Sequence, residues 1–209
     1  MNNTKIRCRI TFEKKDLARF VGHLDLQTLF QRALKRARVP VAYSQGFNPH
    51  MLISFAQPLP LGMESLCEMV DIELTREVEP SEIINGLNTS LPTGFRVIGA
   101  VFLPPQTKRV AAAIYAAKYK AAFSNTPPIE QLIDAIDLVS AGNDPYAAIA
   151  DKIISMKFNQ ADNTIEMTLC AGGEKNLKPA VAVASICENA EIELTTSSIS
   201  YTRTAILLK

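Results

Sequence analysis

The spacing of apolar and polar residues divides the first half of this 209-residue chain into strands and helices. Residues 5–14, KIRCRITFEK, alternate apolar and polar side chains, which predicts a strand with one buried face. Similar patterns, bordered by turn residues, predict strands at 50–57, 66–76 and 94–104. A short helix is predicted at 79–91.

Residues 23–39, HLDLQTLFQRALKRARV, carry apolar residues every three or four positions, which predicts an amphipathic helix that Pro40 terminates. Asp25 in its first turn and Arg36 and Arg38 in its last turn complement the helix dipole. The predicted buried face consists of Leu26, Leu29, Phe30, Ala33, Leu34 and Ala37.

The second half shows a similar succession of patterns. The predicted elements are helices at 127–141 and 178–189, a hairpin of strands at 151–160 and 163–172, and a closing strand at 197–209. Residues 109–124 fit either a strand or a helix, because their apolar side chains alternate while alanine favours helix.

With residues 109–124 taken as a strand, the order β-α-β-β-α-β occurs twice, and this order is typical of ferredoxin-like folds. We therefore predict an α+β protein of two tandem ferredoxin-like (βαββαβ) domains with antiparallel sheets, residues 1–104 and 105–209. The two halves share no obvious sequence similarity, so the repeat is one of pattern alone.

Charge is distributed unevenly along the chain, although the formal net charge is +1. Residues 1–60 contain ten Lys and Arg against three Asp and Glu, and no acidic residue occurs between Leu26 and Met63. A basic first quarter on a nearly neutral chain indicates a face that meets an anion such as nucleic acid or phosphate. Alternatively, this segment pairs with the acidic remainder of the chain inside the fold.

Composition excludes several classes of protein. No apolar run approaches 20 residues, and the first residues lack the apolar core of a signal peptide, so we expect a cytoplasmic protein without membrane association. The four cysteines are far apart and no CxxC pair occurs, which argues against a metal or iron–sulfur site and favours reduced, buried thiols. Nucleotide-binding and nucleophile-elbow motifs are missing as well.

His23 and Asp25 lie together at the predicted start of the first helix, behind Gly22. A histidine and a carboxylate in a first turn are able to act as an acid–base pair, and free N–H groups at a helix start bind anions. The alternative is structural: the carboxylate satisfies those N–H groups and the histidine caps or packs.

The predicted helix continues into a segment rich in groups that bind nucleic acid. Its polar face carries cations three and four residues apart, which form one ridge able to bind phosphates. The segment YSQGFNPH adds two aromatic rings for stacking, three hydrogen-bonding side chains and a histidine. Alternatively, neither feature binds a ligand: the helix face is merely solvated, and the polar side chains of the loop form hydrogen bonds within the loop. The candidate binding residues here are Arg32, Lys35, Arg36, Arg38, Tyr43, Ser44, Gln45, Phe47, Asn48 and His50, together with His23.

Arg203 lies in the closing strand, among apolar residues. A guanidinium in such a strand needs an anionic partner, which is either an internal carboxylate or a ligand. Arg203 is therefore a further candidate binding residue.

Residues 22–65 resemble the signature of a family of radical-SAM-linked proteins, a domain of unknown function. The matching motifs are HLD at 23–25, a basic helix end, YSQGFNP at 43–49 and the run from SFAQPLPLG to ES at 54–65. The chain departs from the pattern at Gly22, where serine is common, and in the spacing of the basic residues that end the helix.

The resemblance implies a partner, since members of that family are encoded beside or fused to a cobalamin-binding radical SAM enzyme. It implies no cofactor in this chain, while the partner uses S-adenosylmethionine, an iron–sulfur cluster and cobalamin. We accordingly expect a non-catalytic accessory or substrate-binding protein that recognises RNA, either tRNA or rRNA.

Two other hypotheses stay open. In the first, the chain is an enzyme that acts on RNA or a nucleotide by acid–base chemistry at His23, Asp25 and His50. In the second, it is an assembly protein whose basic face docks an acidic partner.

Overall fold

The computed structural model describes residues 6–142, 146–193 and 199–209 of the chain, and it divides into two compact units. The first unit ends at Ala113 and the second begins at Ile114, whereas the sequence places the domain boundary after residue 104. Lys5, Ser197 and Ser198, which the sequence assigns to the first and last strands, lie outside the described residues.

The first unit contains four strands and two long helices. The strands are β1 (Ile6–Lys14), β2 (Ile53–Phe55), β3 (Glu64–Leu74) and β4 (Phe95–Leu103), and the helices are α1 (His23–Arg36) and α2 (Pro80–Ser90). Beside them lie a 3-10 helix (Asp16–Phe20) and the single helical turn α3 (Val110–Ala113).

The strands of this unit form an antiparallel sheet in which β1 pairs with β4 and β3, and β3 pairs with β2. Ile10 lies opposite Val70 on one side and Ala100 on the other, so the middle of β1 is the middle of the apolar face. Helices α1 and α2 cover that face and supply Phe30, Leu87 and other core residues. The alternation in the sequence broadly matches burial in β1 and β4, whereas both faces of β3 are buried from Val70 to Leu74.

The buried face of α1 agrees with its prediction, because Leu26, Phe30, Ala33 and Leu34 are buried and Leu29 and Ala37 are partly buried. The Phe30 ring lies 4.5 Å from that of Phe12 in β1 and 5.4 Å from that of Phe55 in β2, measured between centroids. Such tilted and edge-on contacts stabilise aromatic clusters beyond simple burial. They fix α1 over the sheet.

Helix α1 ends at Arg36, three residues before the predicted end. Arg38 adopts a left-handed conformation (φ 54°), with Val39 N–H donating to Leu34 O and Arg38 N–H donating to Lys35 O. These two bonds form a Schellman motif, in which glycine is the usual left-handed residue. The helix therefore stops by its own capping bonds, before Pro40 acts on it.

The second unit contains strands β5 (Ile114–Phe123), β6 (Ile153–Asn159), β7 (Thr164–Cys170) and β8 (Ile199–Leu208). Its helices are α4 (Ile129–Ala141), the short α5 (Ala147–Ala150) and α6 (Pro179–Asn189), with a 3-10 turn at Gly173–Lys175. The strands are antiparallel in the order β8-β5-β7-β6. The core includes Leu132, Ile136, Ile165, Leu169, Val183 and Ile186.

Other segments also differ from the sequence prediction. Residues 109–124 are helical for one turn and then extended, so both patterns in that segment are used. Strand β2 is three residues long instead of eight, because Tyr43 pairs with Met51 and the preceding segment folds back on itself. The 3-10 helices have no period of their own in the sequence and were not predicted.

Among the described residues, no helix is both long and apolar enough to cross a membrane. The same residues contain no group of three His, Cys, Asp or Glu side chains arranged to hold a metal ion. Cys8 and Cys187 are buried as predicted, whereas Cys67 and Cys170 are half-buried, and all four are free thiols.

Candidate nucleic-acid interface

The polar side of α1 and its C-terminal turn carry a group of exposed cations, which we call the basic face: Arg32, Lys35, Arg36 and Arg38. Amphipathic spacing places the first three opposite the buried residues of α1, and the left-handed turn carries the fourth. Arg32, Lys35 and Arg38 form no ion pair with any carboxylate in the part of the chain that the structure describes. Their positive charge is thus available to an external anion.

A groove of about 560 Å³ lies beside the basic face, between α1 and the end of α2. Arg32 and Arg36 line it together with Asp25, Thr28 and the chain from Ser90 to Pro92. Arg36 Nη2 donates to the Ser90 carbonyl oxygen at 2.7 Å, which holds the guanidinium at the groove wall. A guanidinium has further N–H donors in a fork that matches phosphate oxygens.

The segment that follows the basic face is a hairpin, which we call the arm: residues Tyr43–Met51. Its base is attached to β3, because Val41 pairs with Leu74 and Ala42 N–H donates to Glu73 O. Buried Val41 and Met51 anchor the two ends. The arm therefore projects from a fixed base.

Within the arm, Ser44 and His50 are joined by three hydrogen bonds. Ser44 N–H donates to His50 O at 2.8 Å, and His50 N–H donates to Ser44 Oγ at 3.0 Å. The Ser44 hydroxyl also lies 2.8 Å from His50 Nδ1. These bonds use the polar groups of the two residues to close the hairpin.

The tip of the arm is exposed. Gly46 has φ 123° with nothing within 4 Å of the position that a Cβ would occupy, so glycine is needed there for its backbone conformation and not for space. Phe47 is fully exposed, and the amides of Gln45 and Asn48 on either side of it are exposed as well. The tip thus presents an aromatic ring flanked by hydrogen-bonding groups.

His23 and Asp25 have different surroundings at the start of α1. His23 Nε2 lies 2.9 Å from Gln27 Nε2, and its ring meets Phe55 edge-on at 5.9 Å. One Asp25 carboxylate oxygen lies 3.4 Å from where a Cβ on Gly22 would be, so it folds back over the helix N-terminus. That position suits a carboxylate that stabilises the first turn.

The structure therefore does not join the three residues of the acid–base hypothesis by any hydrogen bond among the described residues. His23 contacts Gln27, His50 contacts Ser44, and Asp25 faces the helix start and the groove. The three hydrogen bonds between His50 and Ser44 lie inside the arm.

Arg203 lies in the second unit, with its side chain almost entirely buried (1% exposed). Its guanidinium carbon is 5.6 Å from the centroid of the Tyr119 ring, a cation–π geometry. Tyr119 is opposite Arg203 in the pairing of β5 with β8. This placement favours a role inside the unit.

The comparison with protein-family models matches residues 7–179 to a family described as "Uncharacterized protein conserved in bacteria (DUF2344)". The match covers more than half of the chain. The chain belongs to this family. No curated protein matches the sequence.

Two solved structures have similar lengths and weak similarity. One is an unknown protein from Galdieria sulphuraria, with a TM-score of 0.30 and 13% identity over 96% of this chain and 99% of that one. The other is a putative glycine cleavage system transcriptional repressor, with a TM-score of 0.27 and 10% identity over 98% of this chain and 99% of that one.

Sequence reasoning missed a buried charged pair of residues beside His23. Lys14 and Glu68 are 2% and 4% exposed, and Lys14 Nζ donates to Val21 O at 2.8 Å. Both line a cavity of about 10 Å³ with His23, Phe55 and Gln57. Lys14 continues the period of the apolar positions of β1, which is the signal that places it on the covered face of the sheet.

A second missed feature is the ionic network on the opposite face of the first sheet. Arg9 donates to both oxygens of Asp71, at 2.7 and 3.0 Å, and Asp71 also accepts from Val110 N–H at 2.8 Å. Arg109 donates to Glu73 at 2.6 Å. The network attaches residues 108–110 to β1 and β3. Predicting it requires the register of the strands, because the paired residues are far apart in the sequence.

Proposed function

We propose that this chain is a non-catalytic, cytoplasmic accessory protein that binds RNA through the basic face and the arm and works with a radical SAM enzyme. The observation that carries the proposal is the basic face itself. It has four exposed cations, none of which forms an ion pair with a carboxylate among the described residues, and it borders a groove with two arginines.

Electrostatics favours RNA as the ligand. Contacts to a phosphate backbone are made by unpaired Arg and Lys side chains, and each one releases counterions when it binds. A merely soluble surface interleaves charges of both signs, whereas the run from Leu26 to Met63 contains no acid. The exposed ring and amides of the arm add the stacking and hydrogen-bonding groups that RNA-binding surfaces use.

We propose that each unit is a ferredoxin-like domain, so that the chain is a tandem pair. Support comes from the element order β-α-β-β-α-β in each unit and from the sheet of the first unit, in which β1 and β3 are central. In the second unit the equivalent central strands are β5 and β7.

Binding of RNA is tested by fluorescence anisotropy with labelled tRNA and rRNA fragments at low salt. We expect binding tighter than about 100 µM, because even non-specific contacts reach that range. Arg32→Ala combined with Arg36→Ala should weaken it. Lys175→Ala combined with Lys178→Ala is the matched control, since it removes the same charge from exposed positions of the second unit.

The outcome that overturns RNA binding is a wild-type protein that binds neither RNA at low salt. An equal loss in the control variant would also contradict the role of the basic face, because it would show an effect of net charge alone.

The radical SAM partner rests on the motif resemblance of residues 22–65. The partner would carry the S-adenosylmethionine, iron–sulfur cluster and cobalamin, and this chain would present the substrate. Co-purification with a co-expressed cobalamin-binding radical SAM enzyme should survive nuclease treatment. Failure of the two proteins to associate would remove the partner from the proposal without affecting RNA binding.

The alternative function is an enzyme that acts on RNA or a nucleotide. One observation favours it, which is the cavity where His23 meets buried Lys14 and Glu68. Buried ionisable groups of this kind are common at catalytic sites. The alternative requires product formation by the isolated chain that His23→Ala abolishes.

A further inference from the structure

We propose that the arm selects unpaired nucleotides, with the Phe47 ring stacking on an exposed base while the basic face holds the adjacent phosphates. This inference rests on the proposed RNA binding and specifies its substrate class. It concerns single-stranded segments, loops and bulges as opposed to continuous duplex.

Phe47 is fully exposed at the tip of the arm. A single exposed apolar residue is common on protein surfaces and needs no explanation by itself. Phe47, however, stands at the tip of a hairpin closed by the three bonds between Ser44 and His50. Because these bonds hold the backbone that carries the ring, less backbone freedom is lost when a base stacks on it.

Hydrogen-bonding side chains flank the Phe47 ring. Gln45 and Asn48 are exposed on either side of Phe47, and their amides carry both donors and acceptors. Unpaired bases offer their Watson–Crick edges to such groups, whereas a duplex has these edges already paired. The half-exposed ring of Tyr43 adds a second aromatic surface at the base of the arm.

The base of the arm lies close to the cations along the chain. Arg38 and Tyr43 are separated by five residue steps, so their Cα atoms are at most about 18 Å apart. The aromatic tip and the basic face therefore belong to one continuous segment of the first unit. A positive surface combined with aromatic platforms is the arrangement with which proteins bind single strands.

A-form duplex RNA does not fit this arrangement. Its bases are stacked internally, and proteins recognise it through phosphates and 2′-hydroxyls across the minor groove. A protruding ring makes no stacking contact there, so the duplex would use the basic face alone.

The test compares a labelled single-stranded RNA of about 12 nucleotides with the same sequence as a blunt duplex, at low salt. We expect wild type to bind the single strand more tightly. Phe47→Ala should weaken single-strand binding about tenfold or more and leave duplex binding within about twofold, and Phe47→Tyr should retain most of the affinity. Leu17→Ala is the control, because Leu17 is an exposed apolar residue outside the arm.

A 2-aminopurine base at an unpaired position gives a second readout. Stacking on Phe47 should change its fluorescence on binding, and Phe47→Ala should remove that change. This signal reports on the ring directly and does not depend on overall affinity.

The outcomes separate this inference from the proposed function. If neither RNA binds, both fall. If both RNAs bind and Phe47→Ala changes neither, or weakens both equally, selection of unpaired bases is overturned while RNA binding stands. If Phe47→Ala leaves RNA binding intact and disrupts association with the partner enzyme, the arm is a protein contact and the inference is overturned.

Discussion

The Ser44 hydroxyl lies 2.8 Å from His50 Nδ1 and accepts the His50 backbone N–H at 3.0 Å. The hydroxyl and the imidazole nitrogen are a donor–acceptor pair in either tautomer of the neutral ring. One small side chain thus closes the hairpin that presents Phe47. The sequence presents Ser44 and His50 as candidate binding residues, and in the structure their polar groups also bond to each other within the arm.

Ser44→Ala should loosen the arm without unfolding the protein. The variant removes the two side-chain bonds and keeps the bond from Ser44 N–H to His50 O, so we expect faster amide exchange at 44–50 and a several-fold loss of single-strand affinity. Hydrogen exchange with mass spectrometry measures the first effect. Thr89→Ala, which removes an exposed side-chain bond to Asn85 O in α2, should change neither quantity.

Asp71→Ala should destabilise the first unit strongly. Asp71 is 2% exposed and binds Arg9 through both oxygens, so its removal leaves the buried Arg9 guanidinium without a carboxylate partner and the Val110 N–H without its acceptor. We expect a loss of about 3–5 kcal/mol in the free energy of unfolding, measured by urea denaturation. Arg9→Met combined with Asp71→Leu should lose less, because it leaves no unpaired charge; an equal or larger loss would contradict this account.

Alkaline pH should destabilise the protein through two buried thiols. Burial raises the pKa of Cys8 and of Cys187 from 9.0 to about 11. The unfolded chain therefore loses these protons first as the pH rises. The contribution of the two buried thiols to stability is fully present below pH 9 and is lost as the pH rises towards 11. Urea midpoints should decline less steeply with pH in Cys8→Ala combined with Cys187→Ala than in wild type; parallel profiles would argue against buried thiols as the cause.

Arg203→Ala should lower stability and leave RNA affinity unchanged. The side chain is 1% exposed and lies over Tyr119, so truncation removes a buried cation and leaves a cavity. We expect a loss of about 2–5 kcal/mol, measured by urea denaturation. Lys118→Ala removes an exposed cation from the same unit and serves as the control. A folded Arg203→Ala protein with weakened RNA binding would contradict this prediction and support Arg203 as a binding residue.

Much of the fold was predictable because its elements follow simple periods. The alternation of Cys8, Ile10 and Phe12 and the spacing of Leu26, Phe30 and Ala33 each identify a buried face without knowledge of the partner element. The lengths of β2 and α1 were not predictable in this way. The length of β2 depends on the pairing of Tyr43 with Met51, and the length of α1 depends on the left-handed conformation of Arg38. The spacing of apolar residues predicts neither of these local features.

The candidate site was likewise predictable only in part. Exposure of the basic face follows from the amphipathic spacing of α1, so the sequence identified those cations. The roles of Ser44, His50 and Arg203 depended on which atoms lie opposite them, and that required the strand pairings. Buried Lys14 and Glu68 were missed because a charged residue on a covered face contradicts the usual pattern.

The salt dependence of RNA binding tests the central claim most directly. Each phosphate contact contributes about 0.7–0.9 to the slope of log K against log salt concentration. If Arg32 and Arg36 both contact phosphates, Arg32→Ala combined with Arg36→Ala should reduce the magnitude of that slope by about 1.4–1.8, and the Lys175→Ala and Lys178→Ala control should leave it unchanged. A slope that is the same in wild type and in the arginine variant would contradict RNA binding by the basic face.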